Sequence, residues 1–193
     1  MQSNQTDKVF MSWARHERYG TDTAIKREAM VRAFQMGKQL RKMLPECETI
    51  YCSPIDRAKQ TAEFQALGMR CTHLLENAFL AEDTPTFSVR KFISQVILNT
   101  AADVQYYHFV THLPVLEKLG LPIWAAGSVC LLSAASWTDM LAENFTVQTF
   151  DPPKLRSDFY QNFAADQDEF EKMSAEEIYA VCQAQINSLS VCD

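Results

Sequence analysis

Short apolar runs alternate along this chain with longer segments in which apolar residues recur every three or four positions. That alternation restricts it to one class of fold. Lys8–Ala14, with Val9-Phe10-Met11-Ser12-Trp13-Ala14, is short, apolar and bounded by polar residues, the pattern of a buried strand. From about Ala24 to Leu44, the residues Ile25, Ala29, Ala33, Met36, Leu40 and Leu44 form one stripe. Arg27, Arg32, Lys38, Arg41 and Lys42 lie off it, which predicts an amphipathic helix stopped at Pro45. Glu48–Cys52 reads as a second strand. Ser53 then serves as N-cap and Pro54 as the first residue of a helix running to about Leu67, with Gly68 as its C-cap. A brief strand near Cys71–Leu75, a loop over Glu76–Pro85, a helix over Phe87–Asn99 and a strand over Gln105–Val110 follow. Pro114–Leu119 is a short helix ended by Gly120. Ser128–Trp137 and Asn144–Phe150 are two strands, read as a hairpin around Asp139–Glu143. The expected fold is α/β: a three-layer α/β/α sandwich with a mostly parallel sheet, helices on both faces and an antiparallel edge.

The chain has 193 residues, enough for one domain with an appendage, and 47% of them are hydrophobic, enough to fill a core. Residues 1–153 read as the α/β domain and 154–193 as a helical C-terminal extension packed on or beside it. Ser157–Lys172 and Ala175–Leu189 are expected to be its acidic amphipathic helices. The net charge of −6 lies wholly in the tail, because residues 1–150 hold 15 Lys/Arg and 15 Asp/Glu whereas 151–193 hold 3 and 9. A nucleic-acid partner would need a basic face, and none is present. Residues 8–57 are locally basic, with ten Lys/Arg against six Asp/Glu, which suits a small anionic ligand. No apolar run reaches the roughly 18 residues needed to span a bilayer. The polar start Met1-Gln2-Ser3-Asn4-Gln5 is unlike a secretory signal. The six cysteines make no C-x-x-C and no zinc-like spacing with histidine, so they are expected to be reduced packing residues of a cytoplasmic protein, with Cys192 the reactive one.

In open α/β sheets ligands sit at the carboxyl ends of the strands. The first strand ends at Arg15-His16. The second ends at Cys52-Ser53-Pro54, with Arg57 one turn into the next helix. The Gln105–Val110 strand ends at Thr111-His112. Two histidines and two arginines therefore fall at one edge, and together they imply phosphate. Guanidinium forks match phosphate oxygens and stay charged. A neutral imidazole can attack phosphorus and carry the phosphoryl group, and a protonated second histidine can donate to a phosphoryl oxygen. No carboxylate cluster has metal-like spacing, so no metal or other cofactor is expected. His73 and His108 are read as structural.

At these residues the chain resembles the histidine phosphatase superfamily, also called the phosphoglycerate mutase-like or RHG family. The family's Arg-His-Gly motif stands here as Arg15-His16-Glu17. Its Ser-Pro-x-x-Arg-Ala-x-Gln-Thr-Ala motif is matched at every named position by Ser53-Pro54-Ile55-Asp56-Arg57-Ala58-Lys59-Gln60-Thr61-Ala62. Phe109-Val110-Thr111-His112-Leu113-Pro114 looks like the corresponding strand end of short bacterial phosphohistidine phosphatases. Gly37 stands where the family's first helix carries a packed glycine. The resemblance covers about residues 8–150.

The resemblance implies a phosphoglycerate mutase-like fold and metal-independent hydrolysis of a phosphomonoester or phosphohistidine. His16 would become phosphohistidine, and Arg15, Arg57 and His112 would clamp the phosphoryl oxygens. Glu76, in Leu74-Leu75-Glu76, would be the proton donor, with Glu82 and Asp83 as rivals. The substrate would be a phosphorylated small molecule or phosphoprotein, chosen by loops 17–23, 76–86 and 121–128. Glu17 departs from the motif's glycine, where its side chain would crowd the pocket or repel phosphate. Relatives with another residue there, one of them with a tyrosine two positions on as Tyr19 is here, remain active. The alternative is a phosphate-binding or regulatory module with little catalysis. A mutase ranks last, since mutases carry long insertions for which this chain has little room.

Overall fold

The computed structural model describes residues 8–20, 25–123 and 125–189; Cys192 and parts of the 17–23 and 121–128 loops lie outside them. The elements follow in the order β1 (Val9–Arg15), α1 (Arg27–Met43), β2 (Thr49–Cys52), α2 (Asp56–Met69), β3 (Leu74–Glu76), α3 (Thr86–Leu98), β4 (Tyr106–Thr111), α4 (Leu113–Lys118), β5 (Val129–Ala134), α5 (Trp137–Leu141), β6 (Thr146–Phe150), α6 (Gln167–Phe170) and α7 (Ala175–Leu189). The sheet order is β3-β2-β4-β1-β5-β6. β1 pairs parallel with β4, and β2 parallel with both β4 and β3, whereas β5 runs antiparallel to β1 and to β6. This is the expected mostly parallel sheet with an antiparallel flank. In register, Arg15 lies opposite Thr111 and Cys52 opposite Val110, so the ends of β1, β2 and β4 align at one edge.

Two layers cover the sheet because its central strands are apolar on both faces. Trp13, Tyr107, Phe109, Val89, Phe92 and Leu116 fill one side, and Met36, Leu40, Ile50, Ala58, Ala62 and Val110 the other. On the second side α1 and α2 meet backbone to backbone. A Cβ on Gly37 would lie 2.2 Å from the Gln65 carbonyl oxygen, and one on Gly68 would lie 2.2 Å from that of Phe34. Gly68 is thus a contact residue inside α2, not the expected C-cap. The cap is Arg70, in the left-handed region at φ 58°.

Three other expectations are corrected. The segment between β5 and β6 holds the short helix α5, because the Ser136 side chain accepts from Asp139 N–H and starts a turn. Ser157–Lys172 is no continuous helix. It forms a 3-10 turn at Phe159–Asn162 and the four-residue α6, opened by an extended Asp166 whose carboxylate accepts from Glu169 N–H at 2.8 Å. Ser53 does not cap α2, whose N-cap is Ile55. Phe170, Ile178, Cys182 and Ile186 of the extension are buried with Phe34 and Phe64 on the outer faces of α1 and α2. No helix among the described residues is long and apolar enough to cross a membrane.

Candidate active site

β1 delivers Arg15 and His16 to the carboxyl edge of the sheet. Hydrogen bonds from Arg15 N–H to Ser128 O and from His16 N–H to Thr111 O, each 3.0 Å, tie that strand end to both neighbours. His16 is 6% exposed. Its Nδ1 donates to the Glu17 carbonyl at 2.7 Å, so Nε2 carries the lone pair. Arg57, in the first turn of α2, directs its Nε toward that Nε2 at 3.3 Å. Tyr19 lies beside both, its ring tilted 54° to the His16 ring at 5.9 Å and 5.0 Å from the Arg57 guanidinium carbon.

His112 follows β4 and is fully buried, its ring centroid 5.0 Å from that of His16. Its Nε2 meets Ser53 Oγ at 2.8 Å, and its Nδ1 lies 3.1 Å from Glu82 Oε1. Glu82 also pairs with Arg57. One carboxylate thus bridges a guanidinium and an imidazole. The Glu82 loop is held there from below. Lys118 Nζ donates to the carbonyls of Glu82 and Thr84, each at 3.1 Å, and Thr111 Oγ1 donates to Leu80 O at 2.6 Å.

Burial sets the protonation states. It pushes His16 down to about 4, with Arg57 and Arg15 pushing the same way and the Glu17 carbonyl opposing. Burial, His16 and Arg57 push His112 down to about 3. Burial thus favours the neutral form of both imidazoles in the protein alone.

Glu17 does not enter this cluster. Its side chain is buried and turned toward α1, where Oε2 lies 3.2 Å from an Arg32 terminal nitrogen. Its N–H donates to Thr61 Oγ1 at 3.0 Å, and Thr61 in turn donates to the Arg57 carbonyl at 2.7 Å. Gly127, at φ +81°, packs against the carboxylate so closely that a Cβ would lie 2.4 Å from Oε1.

Among solved structures, the protein histidine phosphatase SixA complexed with tungstate matches at TM-score 0.62 and 16% identity, over 75% of this chain and 97% of that one. The ecdysone phosphate phosphatase of Bombix mori, in complex with tungstate, matches at 0.57 and 12%, over 77% and 95%. A mycobacterial glucosyl-3-phosphoglycerate phosphatase matches at 0.55 and 14%, over 74% and 97%. The fold is that of the histidine phosphatases. No family model and no curated protein matches the chain.

On this histidine phosphatase fold, His16, Arg57 and His112 come together, and Arg15 adjoins them closely enough to affect His16 electrostatically. Glu76 does not join. It lies at the end of β3, half-exposed, with its carboxylate 2.7 Å from Lys59 Nζ, and Glu82 stands in the cluster instead. The reason is the chain path after β3. The Ala78–Leu80 turn folds the loop back over the sheet edge and brings Glu82, six residues later, to His112. Ser53 is the residue that sequence reasoning misplaced. Its chemistry suits a helix cap, yet its hydroxyl meets His112 Nε2 instead. His16, Glu82 and His112 offer ligand atoms all within 4.8 Å of one another, a spacing a metal ion could bridge. The Arg57 and Arg15 guanidiniums beside them give the site the charge of an anion pocket. Of the remaining histidines, His108 is buried between Ser12 and Gln65, as a structural residue would be, and His73 is exposed.

Proposed function

We propose that the chain is a metal-independent phosphatase that hydrolyses a phosphomonoester or phosphohistidine through a phosphohistidine at His16. One observation carries this reading. His16 Nε2 is buried and unprotonated, with Arg57 Nε 3.3 Å away and the His112 ring 5.0 Å from its own, while Nδ1 is pinned by a backbone carbonyl. The substrate phosphoryl group takes the guanidiniums of Arg57 and Arg15 and the His112 imidazole, displacing the Glu82 carboxylate. Glu82 then faces a dianion without its counter-charges and takes up a proton. Nε2 attacks phosphorus, the bond to the leaving oxygen breaks, and Glu82 protonates that oxygen. Water next attacks the phosphohistidine in line. It gives its proton to Glu82, the N–P bond breaks, and phosphate leaves. The cationic side chains stabilise the charge on the transferring group throughout.

That solved neighbours on this fold include a protein histidine phosphatase and phosphomonoester phosphatases supports the substrate class. The placement of Glu17 supports turnover over the alternative of a phosphate-binding module, because Arg32 neutralises its carboxylate away from the pocket. Purified protein should hydrolyse p-nitrophenyl phosphate in EDTA, and His16→Ala should abolish it. An acid-labile phosphoryl adduct should be found on His16 after quenching. Full activity in His16→Ala would overturn the mechanism.

A further inference from the structure

Beside the candidate active site lies a cleft of about 820 Å³ whose two walls come from different parts of the chain. One side is lined by Arg18, Lys26, Glu28 and Arg32, with Ala125 and Ala126; the other by residues 151–157 with Phe159 and Tyr160. The cleft adjoins the site by backbone connection. Arg18 is two residues beyond His16, and its carbonyl holds Lys26 N–H at 3.1 Å. Ala125 and Ala126 lead into Gly127, whose N–H lies 3.1 Å from Arg15 O and 3.3 Å from His16 O.

Charge is unevenly distributed here. The segment 151–193 has nine acidic and three basic residues, yet two of the basic ones, Lys154 and Arg156, line this cleft, with Asp151 as its only acidic contribution. Arg32 is engaged by Glu17 and, at 3.9 Å, by Glu28, and Arg156 reaches Asp158 at 3.0 Å. Arg18, Lys26 and Lys154 have no ion-pair partner within 4 Å among the described residues, and the acids lining the cleft with them are Asp151 and Glu28, the latter paired with Arg32. The cations come from three separate stretches of chain, at residue 18, at 26–32 and at 154–156, and Phe159 and Tyr160 line the cleft with them. A cleft of this volume, lined by five cations, two acids and two aromatic rings, complements a segment that carries several carboxylates and apolar side chains.

We propose that this cleft binds an acidic polypeptide segment next to the phosphorylated residue, so that the substrate is a phosphoprotein with an acidic flank. The proposal rests on the phosphatase reading for its catalytic consequence but not for its binding. The test uses the full chain and two phosphotyrosine peptides that differ only in flanking residues, glutamate in one and glutamine in the other. The wild type should favour the glutamate peptide by about tenfold in kcat/KM at low salt, and less at high salt as the charges are screened. Lys26→Gln/Lys154→Gln should remove that preference and leave p-nitrophenyl phosphate turnover unchanged. Fluorescence anisotropy with an unphosphorylated glutamate-rich peptide gives a readout independent of catalysis. Binding that is lost in the double variant supports the cleft even if no phosphate ester is turned over, an outcome that would instead sink the phosphatase reading. Equal kcat/KM for the two peptides, or tight binding of pyrophosphate in the cleft with none of the peptide, would overturn the proposal.

Discussion

The Glu17 carboxylate and the Arg32 guanidinium meet at 3.2 Å beneath the loop that carries His16, with the Glu17 side chain only 2% exposed. Glu17, which departs from the motif of the family this chain resembles, is therefore accommodated by a cation from α1 and by a missing side chain at Gly127. The same peptide that bears this carboxylate orients His16 through its carbonyl and is fastened to α2 through Thr61.

Restoring the motif glycine should consequently harm this protein. Glu17→Gly leaves Arg32 without its buried partner, and breaking such a pair costs about 2–3 kcal/mol where the cation can partly reach water. Urea unfolding should show that loss, and Glu17→Gly/Arg32→Met should recover most of it. A Glu17→Gly variant as stable as the wild type would show that the pair contributes nothing.

Gly127→Ala should be worse tolerated than an ordinary loop substitution. Its Cβ meets the Glu17 carboxylate, and its φ of +81° strains any L side chain. A destabilisation of roughly 1–3 kcal/mol is expected, read as a lowered Tm. Pairing it with Glu17→Gly should return only the steric part, because the backbone strain remains.

Glu82→Gln should lower kcat on an alkyl phosphate by about 10²–10⁴, the usual contribution of a positioned general acid. Glu76→Gln should stay near wild type, since its carboxylate engages Lys59 on the surface. Steady-state kinetics on both variants decide between the two carboxylates, and a reversed ranking would return the role to Glu76.

Acid should destabilise the fold through its buried histidines. His16, His112 and His108 have native values lowered from 6.5 to about 4, 3 and 3. Between 6.5 and those values the unfolded chain binds protons that the native state does not, so stability rises with pH there and falls as pH drops. Below them both states are protonated and these groups no longer contribute to the slope. Urea midpoints measured from pH 7 to pH 4 should fall steadily. His108→Gln, which keeps hydrogen-bonding capacity for Ser12 and Gln65, should flatten the slope by about one proton's worth, near 1.4 kcal/mol per pH unit.

Strand and helix order could be read from the chain because periodicity is local. The apolar run at Val9–Ala14 and the stripe from Ile25 to Leu44 each record what one element buries. The errors arose where local preference met a tertiary demand. Ser53 has the chemistry of a cap, but His112, 59 residues away, takes its hydroxyl. Gly68 has the chemistry of a C-cap, but the Phe34 carbonyl needs the space where its side chain would be.

By itself the sequence determined the class of sheet and that His16, Arg57 and His112 lie at one edge of it, since strand ends and motif spacing are properties of the linear chain. Tertiary structure alone decided which carboxylate faces His112, where the charge of Glu17 goes, and which basic residues share a cleft. Each of those depends on the direction in which a loop returns after leaving the sheet. Contacts between segments tens of residues apart set that direction, and no local pattern encodes it.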